Sequence, residues 1–193
     1  GIVAAQSAVD ARRQGELLIP FIDQVLLSAG AGRRDLTAVA VGTGPGPYTG
    51  LRVGLVTARV LGSALAIPVD GICTLDIIAA AVRAPGGEFL VATDARRKEL
   101  YWARYSAARE RLSPPQVCPA ADLPAGLPVA GEGALLYPGL CLAPISPRYP
   151  DASCLAALAA KRIASRTPPD PAEPLYLRRP DARQPGQRKR VTP

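Results

Sequence analysis

One stretch constrains the fold of this chain more than any other, and it reads TAVAVGTGPGPYTGLRVGLVTARVLGSALAIPVDG, residues 37–71. A short β-branched run at Thr37–Val41 meets a loop rich in glycine and proline at Gly42–Tyr48. A long apolar segment, Thr49–Ile67, follows and is closed by Pro68. This order predicts a strand, a tight turn, a helix and a stop.

Small residues recur at every fourth position of the predicted helix and therefore stack on one face. They are Gly50, Gly54, Ala58, Gly62 and Ala66. Glycine costs an exposed helix about 1 kcal/mol relative to alanine. We therefore expect something to pack closely on this small-residue ridge, either the sheet beneath the helix or a neighbouring helix. The remaining helix surface is almost entirely apolar, which is typical of a helix that is central to the fold or forms half of an interface.

A second long helix is predicted upstream, from Asp10 to Ala29. Asp10 is a suitable N-cap, and we expect Pro20 to kink or restart the helix. Its large apolar residues recur at helical spacing. They are Leu17, Leu18, Phe21, Ile22, Val25 and Leu26. Such a stripe indicates core packing or, as the sharper alternative, a surface for a partner helix.

Composition excludes several kinds of chemistry. Histidine is absent from the 193 residues, which excludes serine–histidine and cysteine–histidine catalysis and histidine-ligated metal sites within them. The cysteines Cys73, Cys118, Cys141 and Cys154 match no zinc or redox spacing, so we expect free thiols. Arg59 interrupts the longest apolar segment. We therefore expect no membrane span and a cytoplasmic protein.

The net charge of +7 is partly concentrated near the C-terminus. The basic residues there are Arg178, Arg179, Arg183, Arg188, Lys189 and Arg190. They fit either phosphate contacts with nucleic acid or a solvated, disordered tail. Aromatic residues do not alternate with these charges, as platforms for stacked bases require. This favours a disordered basic tail at residues 183–193.

The loop Gly42–Thr49 invites comparison with phosphate-binding loops, and it matches none of them. It has no Gly-Lys-Ser/Thr ending, and the third glycine of a dinucleotide site is missing. Pro45 and Pro47 also remove two N–H donors that an anion needs. A rigid structural loop is therefore favoured, and a nucleotide-dependent enzyme stays open as the alternative. In that alternative the phosphate contacts are Gly44, Gly46 and Thr49, with Asp94 on a metal; Thr49 could also cap the helix.

Downstream, alternating residues predict a hairpin with strands Phe89–Thr93 and Lys98–Tyr105. The proline-rich region Leu112–Pro150 yields only a short strand at Leu127–Ala130. Asp151 is predicted to cap the last helix.

Four segments carry a resemblance to the bacterial TsaB (YeaZ) family. The signature of that family resembles GTGPGPYTGLRVGLVTARVLGSALAIPVDGICTLD, residues 42–76. Its first long helix is similar to ARRQGELLIPFIDQVL, and the hairpin that opens its second lobe resembles DARRKELYWARY. Its C-terminal segment is similar to PLYLRRPDA.

The resemblance implies an actin-like, ribonuclease-H-type (ASKHA) fold of two α/β lobes with mixed sheets. We expect a first lobe at residues 1–87, a second lobe at residues 88–182 and the basic tail beyond them. The opening hairpin of the family, with its Asp-Thr strand, has no counterpart in the numbered chain. We therefore expect an N-terminally truncated first lobe.

The resemblance also implies a function. TsaB members are partners in making N6-threonylcarbamoyladenosine in transfer RNA, where the paralogue TsaD is the catalytic subunit and the ATPase TsaE joins the complex. We therefore expect a non-catalytic scaffold without cofactor or metal, which binds TsaD through helices 10–29 and 49–66. For the chain alone, a monomer and a homodimer both stay open, and we expect contact with transfer RNA to be indirect or through the tail. The expected partner contacts are Leu18, Phe21, Ile22, Val25, Leu51, Gly54, Leu55, Ala58 and Gly62.

Overall fold

The described part of the computed structural model, residues 1–10, 13–137, 139 and 144–178, contains five α-helices and seven β-strands. The helices are α1 (Gln14–Ser28), α2 (Tyr48–Leu65), α3 (Thr74–Ala81), α4 (Gly133–Leu136) and α5 (Ala152–Ala164). The strands are β1 (Val39–Gly42), β2 (Val69–Ile72), β3 (Phe89–Asp94), β4 (Glu99–Tyr105), β5 (Gln116–Pro119), β6 (Val129–Ala130) and β7 (Pro144–Ile145). Short 3₁₀ turns lie at Arg33–Asp35 and Ala120–Asp122. The predicted basic tail at residues 183–193 lies outside the described residues.

The first sheet consists of β1 and β2, which run parallel with Val39 opposite Val69. Parallel neighbours need a crossover connection, and α2 provides it by packing back on β1. Val41 of β1 and Leu55 and Ala58 of α2 form the buried centre of this layer. The predicted strand, turn and helix are therefore confirmed.

The second sheet is mixed and has the order β5-β4-β3-β6-β7. The β3–β4 pair is the predicted antiparallel hairpin, with Phe89 opposite Tyr105, and β6 runs parallel to β3. The Phe89 and Tyr105 rings stack with centroids 5.6 Å apart, and both are fully buried. Helix α3 packs on this sheet through Leu75 and Ile78.

The chain after α5 returns to the first sheet. Asp151 caps α5 as predicted, because its side chain accepts the N–H groups of Ser153 at 2.7 Å and Cys154 at 3.1 Å. Helix α5 then packs against β1 and α3. Beyond it, the Gly71 N–H donates to the Asp170 carbonyl at 3.0 Å, so the following segment lies along β2. The division of the chain at residue 87 stays a prediction.

The ends of the two long helices differ from the predictions. Helix α1 begins at Gln14 rather than Asp10, and Asp10 instead accepts the N–H of Arg13 at 3.0 Å. The helix continues through Pro20, so it does not restart there. Helix α2 begins at Tyr48 and has no side-chain cap, so the predicted cap by Thr49 is wrong. Among the described residues, no helix combines the length and apolar character needed to cross a membrane.

Candidate partner-binding face and the glycine–proline loop

Helix α1 is a surface helix in spite of its apolar stripe. None of its 15 residues is buried. Its predicted contact residues Leu18, Phe21, Ile22 and Val25 are only half-buried. Two more of its apolar side chains reach further out, since Ile19 is 47% and Leu27 82% exposed. The stripe therefore lacks the burial of a core helix in this chain.

Helix α2, which contacts α1, exposes two valines. Val56 and Val60 are each 60% exposed. Because they are four residues apart, they lie one above the other on a single face. We give the name helix surface to a set of eight exposed or half-buried apolar side chains on these two helices. It comprises Leu18, Ile19, Phe21, Ile22, Val25, Leu27, Val56 and Val60.

The small-residue ridge of α2 faces the chain's own sheet. Leu55 and Ala58 are each 4% exposed and pack with Val41 of β1. A Cβ added at Gly62 would overlap the Val69 side chain of β2. The ridge therefore packs on the sheet at Ala58 and Gly62. At its first residue, Gly50, it meets helix α1 instead, because an added Cβ would lie 2.7 Å from Gln14 Oε1. The assignment of Leu55, Ala58 and Gly62 to the partner surface is wrong, because the fold covers them.

The two other predicted α2 contacts lie at the margin of that layer. Leu51 packs against the same core cluster and is half-buried. A Cβ at Gly54 would lie 3.8 Å from Val41 Cγ2. Sequence reasoning did not select Val56 and Val60 as contacts. Their position on the face away from the ridge can be read from the sequence, but only the structure shows that the ridge packs on a strand and leaves this face exposed.

The glycine–proline loop is partly buried and is hydrogen-bonded to other segments of the chain. Thr43, Gly44 and Pro45 are buried. The Gly44 N–H donates to Thr74 Oγ1 at 3.1 Å, and the Gly44 carbonyl accepts the Thr74 N–H at 2.7 Å. The Thr43 carbonyl accepts the Leu175 N–H at 2.8 Å. The loop is therefore bound on two sides by its own chain.

The predicted phosphate contacts differ in burial, and the N–H of one of them is already used. Gly44 has φ of +95°, which suits glycine, and its N–H is already bonded. Gly46 is half-buried and Thr49 is exposed. This arrangement gives an anion few donors and favours the structural interpretation of the loop.

Asp94, the metal ligand of the alternative hypothesis, forms a turn instead. Its carboxylate accepts the Arg96 N–H at 2.7 Å and pairs with the Arg96 guanidinium at 3.2 Å. No group of three or more histidine, cysteine, aspartate or glutamate side chains suited to a metal occurs among the described residues.

The described cysteines are free. Burial raises the pKa of the thiols of Cys73, Cys118 and Cys154. A reactive cysteine needs a lowered pKa, because the thiolate is the nucleophile. These three thiols therefore have the character of packing groups.

Comparisons with known proteins show which proteins this chain resembles. A family model described as "TsaD: tRNA N6-adenosine threonylcarbamoyltransferase" matches residues 6–134. An uncharacterized protein of Mycobacterium tuberculosis is 43% identical over 94% of this chain and 83% of its own length. The tRNA threonylcarbamoyladenosine biosynthesis protein TsaB of Escherichia coli is 34% identical over 54% of this chain and 46% of its own length.

Solved structures agree with the sequence comparisons. YeaZ from Pseudomonas aeruginosa superposes with a TM-score of 0.76 and 28% identity, over 88% of this chain and 87% of that protein. This likeness, together with the mixed α/β architecture, confirms the expected actin-like, ribonuclease-H-type fold. The chain belongs to the family that the matching model describes, and within it to the TsaB (YeaZ) members.

Proposed function

We propose that this protein is a non-catalytic, partner-binding subunit in the biosynthesis of N6-threonylcarbamoyladenosine in transfer RNA. Its relatives from Escherichia coli and Bacillus subtilis carry that biosynthesis in their names. The partner is the paralogue TsaD, bound through the helix surface, and TsaE joins the larger complex. The observation that carries the proposal is α1, a helix with an apolar stripe and no buried residue.

The energetics of α1 support a partner. Helix formation in water is marginal for a short isolated segment, so most helices are stabilised by packing of an apolar face. Here that packing is incomplete, since Ile19, Leu27, Val56 and Val60 remain exposed. Exposed apolar side chains on the surface of a folded chain are typical of sites of protein association when they form a patch. A partner helix laid on the helix surface would complete the burial, and a second copy of the chain can occupy it when TsaD is absent.

A non-catalytic role is supported by the loop and by the titratable groups. The N–H of Gly44, one of the predicted phosphate contacts, is bonded to Thr74. Asp94 is held by Arg96. The described thiols have raised pKa values, which disfavour nucleophilic chemistry.

Size-exclusion chromatography with light scattering tests the proposal. The wild-type chain mixed with TsaD should elute as a stable complex. Val56→Lys and Val60→Lys each place a charge on the helix surface and should weaken the complex at least about tenfold. Ile163→Lys is the matched control, because Ile163 is 57% exposed on α5. This variant should bind as the wild type does.

Two results would overturn the proposal. One is failure of the wild-type chain to bind TsaD at micromolar concentration. The other is equal weakening by Ile163→Lys and Val60→Lys, which would show that the helix surface is not special. Isothermal titration with ATP and magnesium addresses catalysis separately, because micromolar binding to the isolated chain would favour the nucleotide-dependent enzyme.

A further inference from the structure

Two exposed tyrosines stack where α2 begins. The rings of Tyr48, the first residue of α2, and Tyr176, in the segment after α5, have centroids 5.7 Å apart and planes inclined by 25°. Tyr48 is 53% and Tyr176 44% exposed. Stacked aromatic pairs usually contribute to the packing of a core or an interface. Here both rings offer aromatic surface to solvent.

Arg52, one turn further along α2, joins the two rings. Its Nε donates to the Tyr176 hydroxyl at 2.9 Å, and its guanidinium carbon lies 4.0 Å from the centre of the Tyr48 ring. The hydrogen bond to Tyr176 raises the pKa of Arg52, which keeps its positive charge. We call Tyr48, Arg52 and Tyr176 the tyrosine–arginine platform.

A basic turn belongs to the hairpin that Arg178, two residues beyond Tyr176 of the platform, contacts. The turn between β3 and β4 carries Arg96, Arg97 and Lys98, which are all exposed and all have positive φ. Arg178, two residues after Tyr176, contacts this hairpin. Its guanidinium pairs with Glu99 at 3.2 Å and donates to the Ala95 carbonyl at 3.4 Å. The segment from Tyr176 to Arg178 therefore links the platform to the basic turn.

We propose that the tyrosine–arginine platform and the basic turn bind a single-stranded segment of RNA. Unpaired bases would stack on Tyr48 and Tyr176, and the backbone phosphates would lie against the basic turn. Stacked aromatic rings beside a positively charged path are the features of single-strand binding sites. The net charge of +7 adds a long-range attraction for a polyanion.

The fold brings together aromatic and basic residues that are far apart in the sequence. No aromatic residues alternate with the C-terminal basic residues, so the sequence favoured a tail without a stacking surface. The structure brings Tyr48 and Arg52 against Tyr176, although Arg52 and Tyr176 are 124 residues apart in the chain. A protein partner is the weaker interpretation here, because the exposed aliphatic residues of α1 and α2 lie on the helix surface. The two surfaces share no residue, so this proposal stands independently of TsaD binding.

Fluorescence anisotropy with the full chain tests the proposal. The probe is a fluorescein-labelled single-stranded RNA of about ten nucleotides, used in about 50 mM salt, where phosphate contacts are strong. Tyr48→Leu and Tyr176→Leu should each weaken binding about tenfold, as loss of one stacked base does. Tyr176→Phe is the matched control, since it removes the bond from Arg52 but keeps the ring, and it should bind as the wild type does. All three variants retain residues 179–193, so the differences in affinity belong to the platform.

Two further readouts separate stacking from charge. An RNA that carries 2-aminopurine should lose fluorescence when its base stacks on the wild-type platform, and this result does not depend on the folding of any variant. Lys98→Gln should lower the slope of log affinity against log salt by about 0.7 for each phosphate that the variant no longer neutralises.

The proposal is overturned by any one of the following results. They are no binding of single-stranded RNA by the wild-type chain, as expected of a protein-docking patch; unchanged affinity of both leucine variants; and equal losses for Tyr176→Phe and Tyr176→Leu, which would assign the effect to the Arg52 hydrogen bond. Unquenched 2-aminopurine in the bound RNA contradicts it as well.

Discussion

The guanidinium of Arg162 on α5 lies 2.9 Å from the carboxylate of Asp70 on β2. Asp70 is only 6% exposed, so this ion pair is largely removed from water. The same guanidinium pairs with Asp170 at 2.9 Å, and the Asp170 N–H donates to Asp70 at 2.9 Å. One buried carboxylate thus ties both α5 and the segment after it to the first sheet.

Loss of this carboxylate should destabilise the whole chain. Asp70→Ala leaves the partly buried Arg162 with only the exposed Asp170 carboxylate as an ion-pair partner, and it removes the acceptor for the Asp170 N–H. We therefore expect a loss of about 3 kcal/mol in the free energy of unfolding. Asp170→Ala is the matched control, because its carboxylate is 64% exposed and should contribute less than about 1 kcal/mol. Urea denaturation measures both, and equal losses would contradict the assignment of the buried pair as the main tie.

The ridge of α2 yields a pair of opposite predictions. A methyl group at Gly62 would overlap the Val69 side chain on the strand below, so Gly62→Ala should destabilise the chain by about 1–3 kcal/mol. A methyl group at Gly54 would meet Val41 at an ordinary distance of 3.8 Å. Gly54→Ala should therefore stabilise the chain by up to about 1 kcal/mol through helix propensity. Denaturation midpoints of the two variants give the answer, and a shift in the same direction would mean that the ridge does not pack as described.

Tyr105 makes the stability of the folded chain fall as the pH rises in the alkaline range. Burial, and after it the Asp76 carboxylate that accepts its hydroxyl at 2.7 Å, raises the pKa of Tyr105 far above its ordinary value. An unfolded tyrosine ionises near pH 10, at about its ordinary pKa. Above that pH the unfolded state has lost a proton that the folded state keeps, so stability falls as pH rises; below it this group contributes no slope.

Replacing the hydroxyl removes that dependence. Tyr105→Phe should cost about 2 kcal/mol at neutral pH, because a buried hydrogen bond to a carboxylate is lost. Above about pH 10 the free energy of unfolding of the variant should fall less steeply with pH than that of the wild type. The two slopes should differ by about 1.4 kcal/mol per pH unit. Urea titrations over this range compare the two slopes. Parallel curves would show that Tyr105 is not the group responsible.

Local signals made much of the fold predictable. The strand–loop–helix unit around Gly42–Tyr48 and the β3–β4 hairpin are marked by alternation, glycine and proline, and both are present. The cap by Asp151 was equally local. The start of α1 was misplaced because a good capping residue, Asp10, precedes the helix by a few positions and bonds to Arg13 instead.

The site was less predictable because periodicity identifies a helix face but not what lies against it. The sequence predicted that either a sheet or a helix packs on the ridge through Ala58 and Gly62. Only the three-dimensional position of Val69 shows that it is the sheet. The return of Asp170 to β2 and the meeting of Arg52 with Tyr176 join residues about a hundred or more positions apart. Short stretches of sequence contain no signal for such contacts.

Amide hydrogen exchange of the chain, alone and with TsaD, tests the central claim most directly. Helix α1, which has no buried residue, should exchange quickly in the free chain at concentrations where it is a monomer. Helix α3, with Leu75 and Ile78 fully buried, should exchange slowly. Addition of TsaD should slow exchange in α1 and leave α5 unchanged. Unchanged exchange in α1 with TsaD bound, or protection confined to other elements, would contradict the account.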